Sequence, residues 1–494
     1  MATRLLRLGV WLLAVLTVAA SLHGLAQWQL RRQLVHEAAV FLAPLARGDT
    51  PYRWALRDTS DLVGRRPFGN CDYAFDSSGL LLRRGSRSCE IGVPLHAALD
   101  LKRFDRIEIT SNTPLPPFSL VVRERLDQPQ KIASIDPTQS VPLQVMLGQL
   151  AWRFDTHEAS PAPPRAAMLR LRFGELAQDV RVQAIALWTQ SPQDWSSASW
   201  LSADSATDPL TLAQFPLFRI DGSRPETVLR SRDVLQEREP ATLVVFGADV
   251  GRIPAAVREI PPAAARPKQI WPWVMVVAVT LAMLASFARS TDPGRTRSVL
   301  QAVIALALPV WLVVGLQLGD DIEAPAIAAI AVVLLYAIAL TWTYRMTPWR
   351  WIGSSRAWAA AASAPLLALG TVLILGRPGV YATTSVASLA SYALWALLQQ
   401  YLICVVFADR LDRARLPARW TVLASAGVFA LLHAPNAALM LATFCGGLIW
   451  SAQWLRERSL VPIALSHATA ALILGSGLPP AVLRSAEVSL RYYL

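Results

Sequence analysis

Apolar runs of about 20 residues dominate the C-terminal half of this chain and constrain its fold more than any other feature. Because about 20 helical residues span the ~30 Å hydrocarbon core of a bilayer, they predict an all-α polytopic membrane domain over residues 270–475. A further run, Leu8 to Trp28, follows Arg4 and Arg7 and predicts an amino-terminal anchor, residues 1–28. The eight predicted C-terminal spans are 270–288, 297–318, 324–345, 358–376, 384–408, 419–434, 436–455 and 460–475.

The composition fits a membrane protein, since 53% of the 494 residues are hydrophobic and only 17% are charged. Such a chain is too apolar for an ordinary soluble protein and long enough for at least two domains. Within the first run, Ala19-Ala20-Ser21 is a weak signal for removal of a leader. We favour a retained anchor, and a cleaved signal peptide is the alternative.

Residues 31–260 show a different pattern, rich in proline and charge, with short segments that alternate apolar and polar side chains. Phe104 to Ile109, Met168 to Phe173 and Val180 to Val182 are such segments. Period-two alternation between turn residues is typical of antiparallel strands with one buried face. The pattern therefore predicts a β-sandwich or jelly-roll-like domain.

Three other stretches are irregular. Residues 192–225 are interpreted as a folded return loop, with a binding edge as the alternative. Residues 261–269 contain a short, stiff, proline-rich linker, and residues 476–494 form a C-terminal tail.

Arginine is concentrated in every second predicted connection, whereas the connection with Asp320, Asp321 and Glu323 is acidic. Cytoplasmic connections carry the basic excess in membrane proteins, so the pattern predicts a cytoplasmic N-terminus and an extracytoplasmic β domain. In a bacterial inner membrane that domain would be periplasmic. Topology thus explains the net charge of +12 without a nucleic-acid partner. The arginine-rich connections contain Arg289, Arg295 and Arg297; Arg345, Arg350 and Arg356; Arg410, Arg413, Arg415 and Arg419; and Arg456 and Arg458.

The extracytoplasmic location bears on the cysteines. Cys71 and Cys89 flank the turn residues Ser77 to Gly79, so a hairpin can bring them together. An oxidising compartment then predicts a disulfide, and two buried thiols are the alternative. Cys404 and Cys445 lie in apolar spans and are interpreted as small apolar fillers.

Polar side chains recur inside three of the last four predicted spans, where hydrocarbon surroundings make an unpaired polar group costly. Gln399 and Gln400 lie in one span, His433 in the next and His467 in the last. One shared intramembrane site, with these four as candidate catalytic residues, is the favoured interpretation. Hydrogen bonds between helices, with no chemistry, are the alternative.

Two neighbours of His433 are candidate substrate-binding residues. Phe429 precedes it by four residues and therefore shares its helical face. Asn436 follows Pro435, and capping of the next helix is the alternative role for its side chain.

Three segments around these residues resemble the motifs of the CPBP intramembrane endopeptidases, the CAAX-protease and bacteriocin-processing or abortive-infection family. They are Leu398 to Cys404, Phe429 to His433 and Leu465 to His467. The resemblance covers about residues 297–475 and does not extend to the β domain. It implies a membrane peptide hydrolase in which the first of two adjacent glutamates activates water. The family histidines support that water or the oxyanion.

The chain departs from the family pattern at four positions. Gln399 and Gln400 stand in place of the glutamates, Cys404 in place of an arginine, and Ala471 where asparagine is frequent. A neutral pair in lipid needs no cation, which is consistent with the loss of the arginine. Since glutamine is not basic, a histidine would act as the base while a glutamine orients water or donates to an oxyanion.

These features predict an intramembrane endopeptidase that acts on a membrane-associated peptide or protein. No cofactor is expected, and no metal either, because two histidines lack the third ligand of a catalytic zinc site. The first alternative is an inactive relative that binds a membrane peptide or lipid and uses the β domain, whose ligand is unknown, as a sensor. A transporter or polymer-export component is a weaker alternative because no charged residue lies in the interior of a predicted span.

Overall fold

The chain divides into two compact units in a computed structural model. One unit comprises Met1–Leu30 and Lys268–Leu494, and the other comprises Arg31–Pro267. The structure describes residues 2–76, 78–95, 98–137, 140–156, 158–189, 201–202, 217–220, 225–238, 242–261, 270–287, 294–316, 324–344, 347–376, 386–483 and 488–489.

The Arg31–Pro267 unit is rich in β-structure, and most of its strands precede residue 190. They are β1 (Arg53–Trp54), β2 (Phe68–Asn70), β3 (Tyr73–Asp76), β4 (Gly79–Leu82), β5 (Ser88–Val93), β6 (Leu99–Asp100), β7 (Arg106–Ser111), β8 (Phe118–Arg123), β9 (Lys131–Ile135), β10 (Leu143–Met146), β11 (Arg153–Phe154), β12 (Arg165–Ala166), β13 (Met168–Phe173) and β14 (Val180–Trp188).

Twelve of these strands form two six-stranded antiparallel sheets. The first has the order β10-β7-β14-β4-β3, with β1 paired to β14, and the second has the order β11-β9-β8-β13-β5-β2. In the second sheet, Leu171 of β13 lies opposite Ile91 on one side and Leu120 on the other. Leu82 and Ile109 of the first sheet belong to the same buried cluster as Ile91 and Leu120. The two sheets therefore share one hydrophobic core.

A disulfide joins Cys71 to Cys89, whose Cα atoms are 5.0 Å apart. Cys89 is fully buried in the shared core, and Cys71 packs against it. Within the intervening turn, the backbone N–H and hydroxyl of Ser78 donate to Asp76 Oδ1 at 2.8 and 2.6 Å. Ser77 of the predicted turn lies outside the described residues.

A separate, three-stranded parallel sheet in this unit was not predicted from the sequence. It has the order β15 (Leu201–Ser202), β16 (Leu217–Ile220) and β17 (Leu243–Phe246). Parallel neighbours need a crossover, and α2 (Pro225–Arg238) connects β16 to β17. The expectation of one β-sandwich over 31–260 is therefore incomplete. Most of the predicted return loop, 192–225, and of the predicted linker, 261–269, lies outside the described residues.

The first helix, α1 (Ala2–Ala46), continues well past the predicted anchor of residues 1–28. In the Arg31–Pro267 unit the continuation buries Leu34, Ala38 and Leu42, which recur every four residues. This spacing gives a helix one apolar face. The predicted domain start at residue 31 thus falls inside a helix, because no glycine or proline occurs between Leu25 and Ala43.

A buried ion pair anchors this continuation within the same unit. Arg31 Nε and Nη2 donate to Asp249 Oδ2 and Oδ1 at 2.7 and 2.9 Å, and Arg252 Nη1 donates to Oδ1 at 3.2 Å. The Arg31 guanidinium also lies 5.5 Å from the centroid of the Phe246 ring. Burial opposes ionisation of Asp249, but the hydrogen bonds from Arg31 and Arg252 outweigh it and lower the pKa of this carboxyl.

The other unit is helical and strongly apolar. Helix α3 (Ile253–Glu259) still belongs to the Arg31–Pro267 unit. The described helices that follow it are α4 (Trp271–Ser286), α5 (Gly294–Val310), α6 (Ala324–Thr343), α7 (Ser355–Ala361), α8 (Ser363–Leu375), α9 (Val386–Gln400), α10 (Asp409–Arg413), α11 (Ala418–Leu431), α12 (Ala437–Glu457), α13 (Leu460–Gly477) and α14 (Pro480–Leu483). Two π-helical turns, Trp311–Gly315 and Tyr401–Ala408, continue α5 and α9.

Seven helical segments within the described part of the chain are long and apolar enough to cross a membrane, so this is a multi-pass membrane protein. Nine spans were predicted. The other two match Trp271–Ser286 and Ala418–Leu431, which have only 16 and 14 residues. At 1.5 Å per residue they measure about 24 and 21 Å, short of a ~30 Å core. The seven long segments are Leu5–Ala46, Gly294–Gly315, Ala324–Thr343, Ser355–Leu375, Ala390–Arg413, Ala437–Glu457 and Leu460–Gly477.

The membrane part of α1 packs against α11 and α12. Leu22 and Ala26 belong to one buried cluster with Ala426 and Ala430 of α11. The Trp11 indole N–H also donates to the Arg419 carbonyl at 3.2 Å. The first helix is therefore part of the packed membrane core.

Helix α9, the π-helical segment and α10 form one continuous helix. This helix buries the charge of Arg410, which was predicted to lie in a cytoplasmic connection. Arg410 is fully buried, with Nη1 donating to Gln301 Oε1 at 3.4 Å and its guanidinium 5.1 Å from the Tyr344 ring centroid. Neighbouring Asp409 is also buried and pairs with Arg458 at 3.1 Å. Both charges are therefore buried inside the helical unit, where side-chain partners on other helices replace solvent.

Candidate functional site

The two glutamines at the end of α9 face different surroundings. Gln400 is 1% exposed, whereas Gln399 is only half-buried. Adjacent positions on a helix point about 100° apart, so both side chains cannot enter one site from the same side. Immediately after Gln400 the backbone becomes π-helical at Tyr401, a feature often found at functional sites.

Gln400 connects α9 to the histidine of α13. Its Nε2 lies 3.3 Å from His467 Nδ1, and its Oε1 accepts from Cys404 Sγ at 3.4 Å. With Oε1 facing the thiol, Nε2 donates to His467 Nδ1. The neutral His467 ring then carries its proton on Nε2 and presents a donor there. Cys404 thus contributes a weak hydrogen bond to the Gln400 amide in addition to filling apolar space.

His433 lies in the tight connection between α11 and α12 and not inside a helix over the predicted span 419–434, because α11 ends at Leu431. Its Nδ1 is 2.8 Å from the Phe429 carbonyl oxygen. A carbonyl can only accept, so Nδ1 donates and Nε2 is left as an acceptor. The two histidines thus have opposite tautomers: His433 Nε2 can take a proton and His467 Nε2 can donate one.

The Phe429 ring brings the two histidine rings together. Its centroid is 4.9 Å from that of His433 and 5.2 Å from that of His467, both edge-to-face. Phe429 is fully buried among these rings. Its observed contacts therefore position the histidines, and its predicted contact with substrate stays a prediction.

Trp450 completes the site and was missed in the sequence. Its ring centroid lies 4.8 Å from that of His467 and 5.9 Å from that of Phe429. Its indole N–H donates to Ser466 Oγ at 3.0 Å, and Ser466 Oγ donates to the Ala361 carbonyl at 2.5 Å. The available signal was its position, since a tryptophan in the middle of a span lacks the usual interfacial location.

Asn436 does not join the other site residues. Its Oδ1 accepts from the backbone N–H of Leu439 at 3.1 Å and caps α12. Its Nδ2 donates to the Leu483 carbonyl at 2.8 Å, and the Ser489 N–H donates to the Ala434 carbonyl at 2.8 Å. Asn436 therefore holds the His433 turn and the C-terminal segment together, which favours the capping alternative over substrate binding.

Replacing Asn436 with alanine is expected to lower the free energy of unfolding by about 1–3 kcal/mol, because a cap and a buried hydrogen bond are both lost. Asn436→Ser is the matched control, since a serine hydroxyl can still cap α12 but cannot reach Leu483. It should retain part of the stability. Denaturation in detergent measures both variants, and equal stability of Asn436→Ala and wild type would contradict this role.

An apolar cavity of about 550 Å³ lies along α9. Its lining includes Trp351, Trp395 and Tyr401, and none of the four predicted catalytic residues lines it. The described residues also contain no group of three or more His, Cys, Asp or Glu side chains placed to hold a metal ion. The polar side chains that the structure brings together at the site are two imidazoles and one amide.

Comparison with known proteins adds no further constraint on function. No protein-family model and no curated protein matches this chain.

Proposed function

We propose that the membrane unit is a CPBP-like intramembrane endopeptidase that hydrolyses a membrane-associated peptide. One observation carries the proposal. Gln400, His433 and His467 come from three separate segments of an apolar helical unit, yet Gln400 pairs with His467 and the Phe429 ring contacts both histidines. A hydrogen bond that only joins two helices needs two polar groups. This arrangement contains three polar side chains and also gives the two histidines complementary tautomers.

The proposed reaction uses His433 as the base. Its Nε2 removes a proton from water, and the resulting hydroxide attacks the scissile carbonyl carbon. The oxyanion that forms accepts a hydrogen bond from the Nε2–H of His467, which Gln400 holds in the required tautomer. The His433 imidazolium then returns its proton to the leaving amine as the C–N bond breaks.

Gln400 and Gln399 provide an internal comparison. Gln400→Ala is expected to lower the cleavage rate on the order of 10²-fold, because a ring misplaced by about 1 Å can cost that much. Gln399→Ala is the matched control and should stay near the wild-type rate, since among the described residues the histidine hydrogen bonds go to Gln400 and the Phe429 carbonyl and not to Gln399. Cleavage of a membrane-peptide library by purified protein measures both. Equal losses in the two variants would argue against the proposed pairing.

A catalytically inactive binding or scaffold protein is the second candidate. Its support is the burial of the histidines, which are 8% and 2% exposed, together with the absence of site residues from the lining of the apolar cavity. A site used only for packing needs no access for substrate or water. Cleavage by wild-type protein that is lost in the histidine variants separates the two candidates.

We further propose that the protein lies in a bacterial inner membrane, with its N-terminus in the cytoplasm and a periplasmic β-sandwich or jelly-roll-like domain. The alternation of arginine-rich connections supports this orientation. The Cys71–Cys89 disulfide also suits an oxidising compartment.

Cysteine accessibility tests this topology. Asp320→Cys is expected to react with an impermeant reagent added outside spheroplasts, and Arg295→Cys only after the membrane is opened. The two residues belong to consecutive predicted connections of opposite charge. Labelling of Arg295→Cys but not Asp320→Cys from outside would reverse the orientation.

A further inference from the structure

Gln453 on α12 is a buried amide without a hydrogen-bond partner in the part of the chain that the structure describes. Its side chain is 7% exposed, and among the described residues neither Oε1 nor Nε2 has a hydrogen-bond partner. Buried amides are nearly always paired with protein or with ordered water, because desolvation without compensation is unfavourable. This residue therefore needs a partner that can both donate and accept.

Helical spacing locates this amide in the membrane unit. Gln453 lies three residues after Trp450 and four before Glu457, so the three share one face of α12. Trp450 on this face hydrogen-bonds Ser466 of α13, and Glu457 pairs with Arg356 of α7 at 3.2 Å. Gln453 thus lies where α7, α12 and α13 meet, a junction also joined by the hydrogen bond from Ser466 to the end of α7.

Exposure falls from Arg356 on α7, through the residues of this face of α12, to His467 on α13. The Arg356 side chain is 84% exposed and that of Glu457 is 18% exposed. Gln453, Trp450 and His467 are 7%, 4% and 2% exposed. A row of polar groups therefore leads from the solvated Arg356–Glu457 pair past Gln453 to the ring of His467.

We propose that Gln453 binds internal water at this junction, and that this water forms a route from the Arg356–Glu457 pair to His467. A water molecule has two donors and two acceptors, and it satisfies both ends of the amide. The route gives the proposed hydrolase its second substrate, and in that respect it rests on the proposed function. The binding of water by Gln453 does not depend on the proposed function.

Thiol labelling tests the route without any activity assay. Gln453→Cys, in a Cys445→Ala background, is expected to react with a charged methanethiosulfonate at least about tenfold faster than Ala452→Cys, because only a hydrated thiol ionises readily. Ala452 is the matched control, since it is adjacent on α12 and half-buried on another face. Cys404 is fully buried, and the background variant gives its contribution. Equal or slower labelling of Gln453→Cys would overturn the proposal.

A second variant controls for water that enters only because cysteine is smaller than glutamine. Gln453→Leu keeps the volume and removes the amide. If the amide binds water, this change leaves the thermal midpoint unchanged or lowers it. A raised midpoint would show that the amide was unpaired, and would overturn the proposal.

The two proposals can fail separately. Fast labelling of Gln453→Cys with no wild-type cleavage would refute the endopeptidase but support the water site. Slow labelling with clear cleavage would refute the water site but support the endopeptidase.

Discussion

Replacing His433 with alanine is expected to lower peptide cleavage by about 10²–10⁴-fold, the usual contribution of one general base. The Phe429 carbonyl fixes Nδ1 as the donor, so Nε2 is the basic atom that the variant removes. His467→Ala should lose about 10²–10³-fold, as expected for removal of one oxyanion donor. The measurement is the cleavage rate of a membrane-peptide library, with thermal stability followed in the same samples.

His23→Ala is the matched control for these variants. His23 also lies in an apolar helix, but its Nε2 pairs with Gln27 within α1 at 2.9 Å. Its replacement should leave the cleavage rate unchanged. If wild-type protein cleaves nothing and the His433 and His467 variants still support the cell, the inactive scaffold becomes the better account.

Replacing Asp249 with alanine is expected to lower the free energy of unfolding by about 3 kcal/mol, the lower end of the range for removing one partner of a buried ion pair. The lower end applies because Arg31 is 40% exposed and can be partly rehydrated. Arg252→Ala is the control, since Arg252 is 63% exposed and its ion pair should contribute less than about 1 kcal/mol. Chemical denaturation measures both, and similar losses would contradict the assignment.

The same carboxyl gives stability a defined pH dependence. The pKa of Asp249 in the folded protein lies below its ordinary value of about 3.9. Its contribution is therefore fully present above about pH 4 and is lost as the pH falls through the lowered pKa. Asp249→Asn should be less stable near neutrality and should lose less stability on acidification than wild type. Parallel acid sensitivity of the two proteins would exclude Asp249 as the titrating group.

Strands with one solvated face could be located from the sequence alone. The alternation over Met168–Phe173 matches β13, whose side chains are buried at every second position. The segment that begins at Val180 was predicted as only three residues, yet β14 continues to Trp188. Ala184–Leu187 are buried at successive positions, so the period-two signal disappears although the strand does not.

The candidate site was predictable as a set of residues but not as a set of contacts. Apolar surroundings marked the glutamines and histidines, because polar groups there are costly. Which glutamine faces His467 depends on the helix rotation, and the π-helical turn at Tyr401 has no sequence marker. The burial of Arg410 was equally hidden, since its acceptor, Gln301, lies 109 positions earlier in the chain.

The role of the first helix extends beyond membrane attachment. Leu22 and Ala26 pack on α11, which carries Phe429 and ends just before His433. Exchange of α1 for an unrelated anchor of equal hydropathy would therefore remove the contacts of Leu22 and Ala26 with α11, the helix that supports both histidine rings. We expect such chimeras to insert normally yet lose the ordered site, so that hydrophobicity alone cannot replace the sequence of this helix.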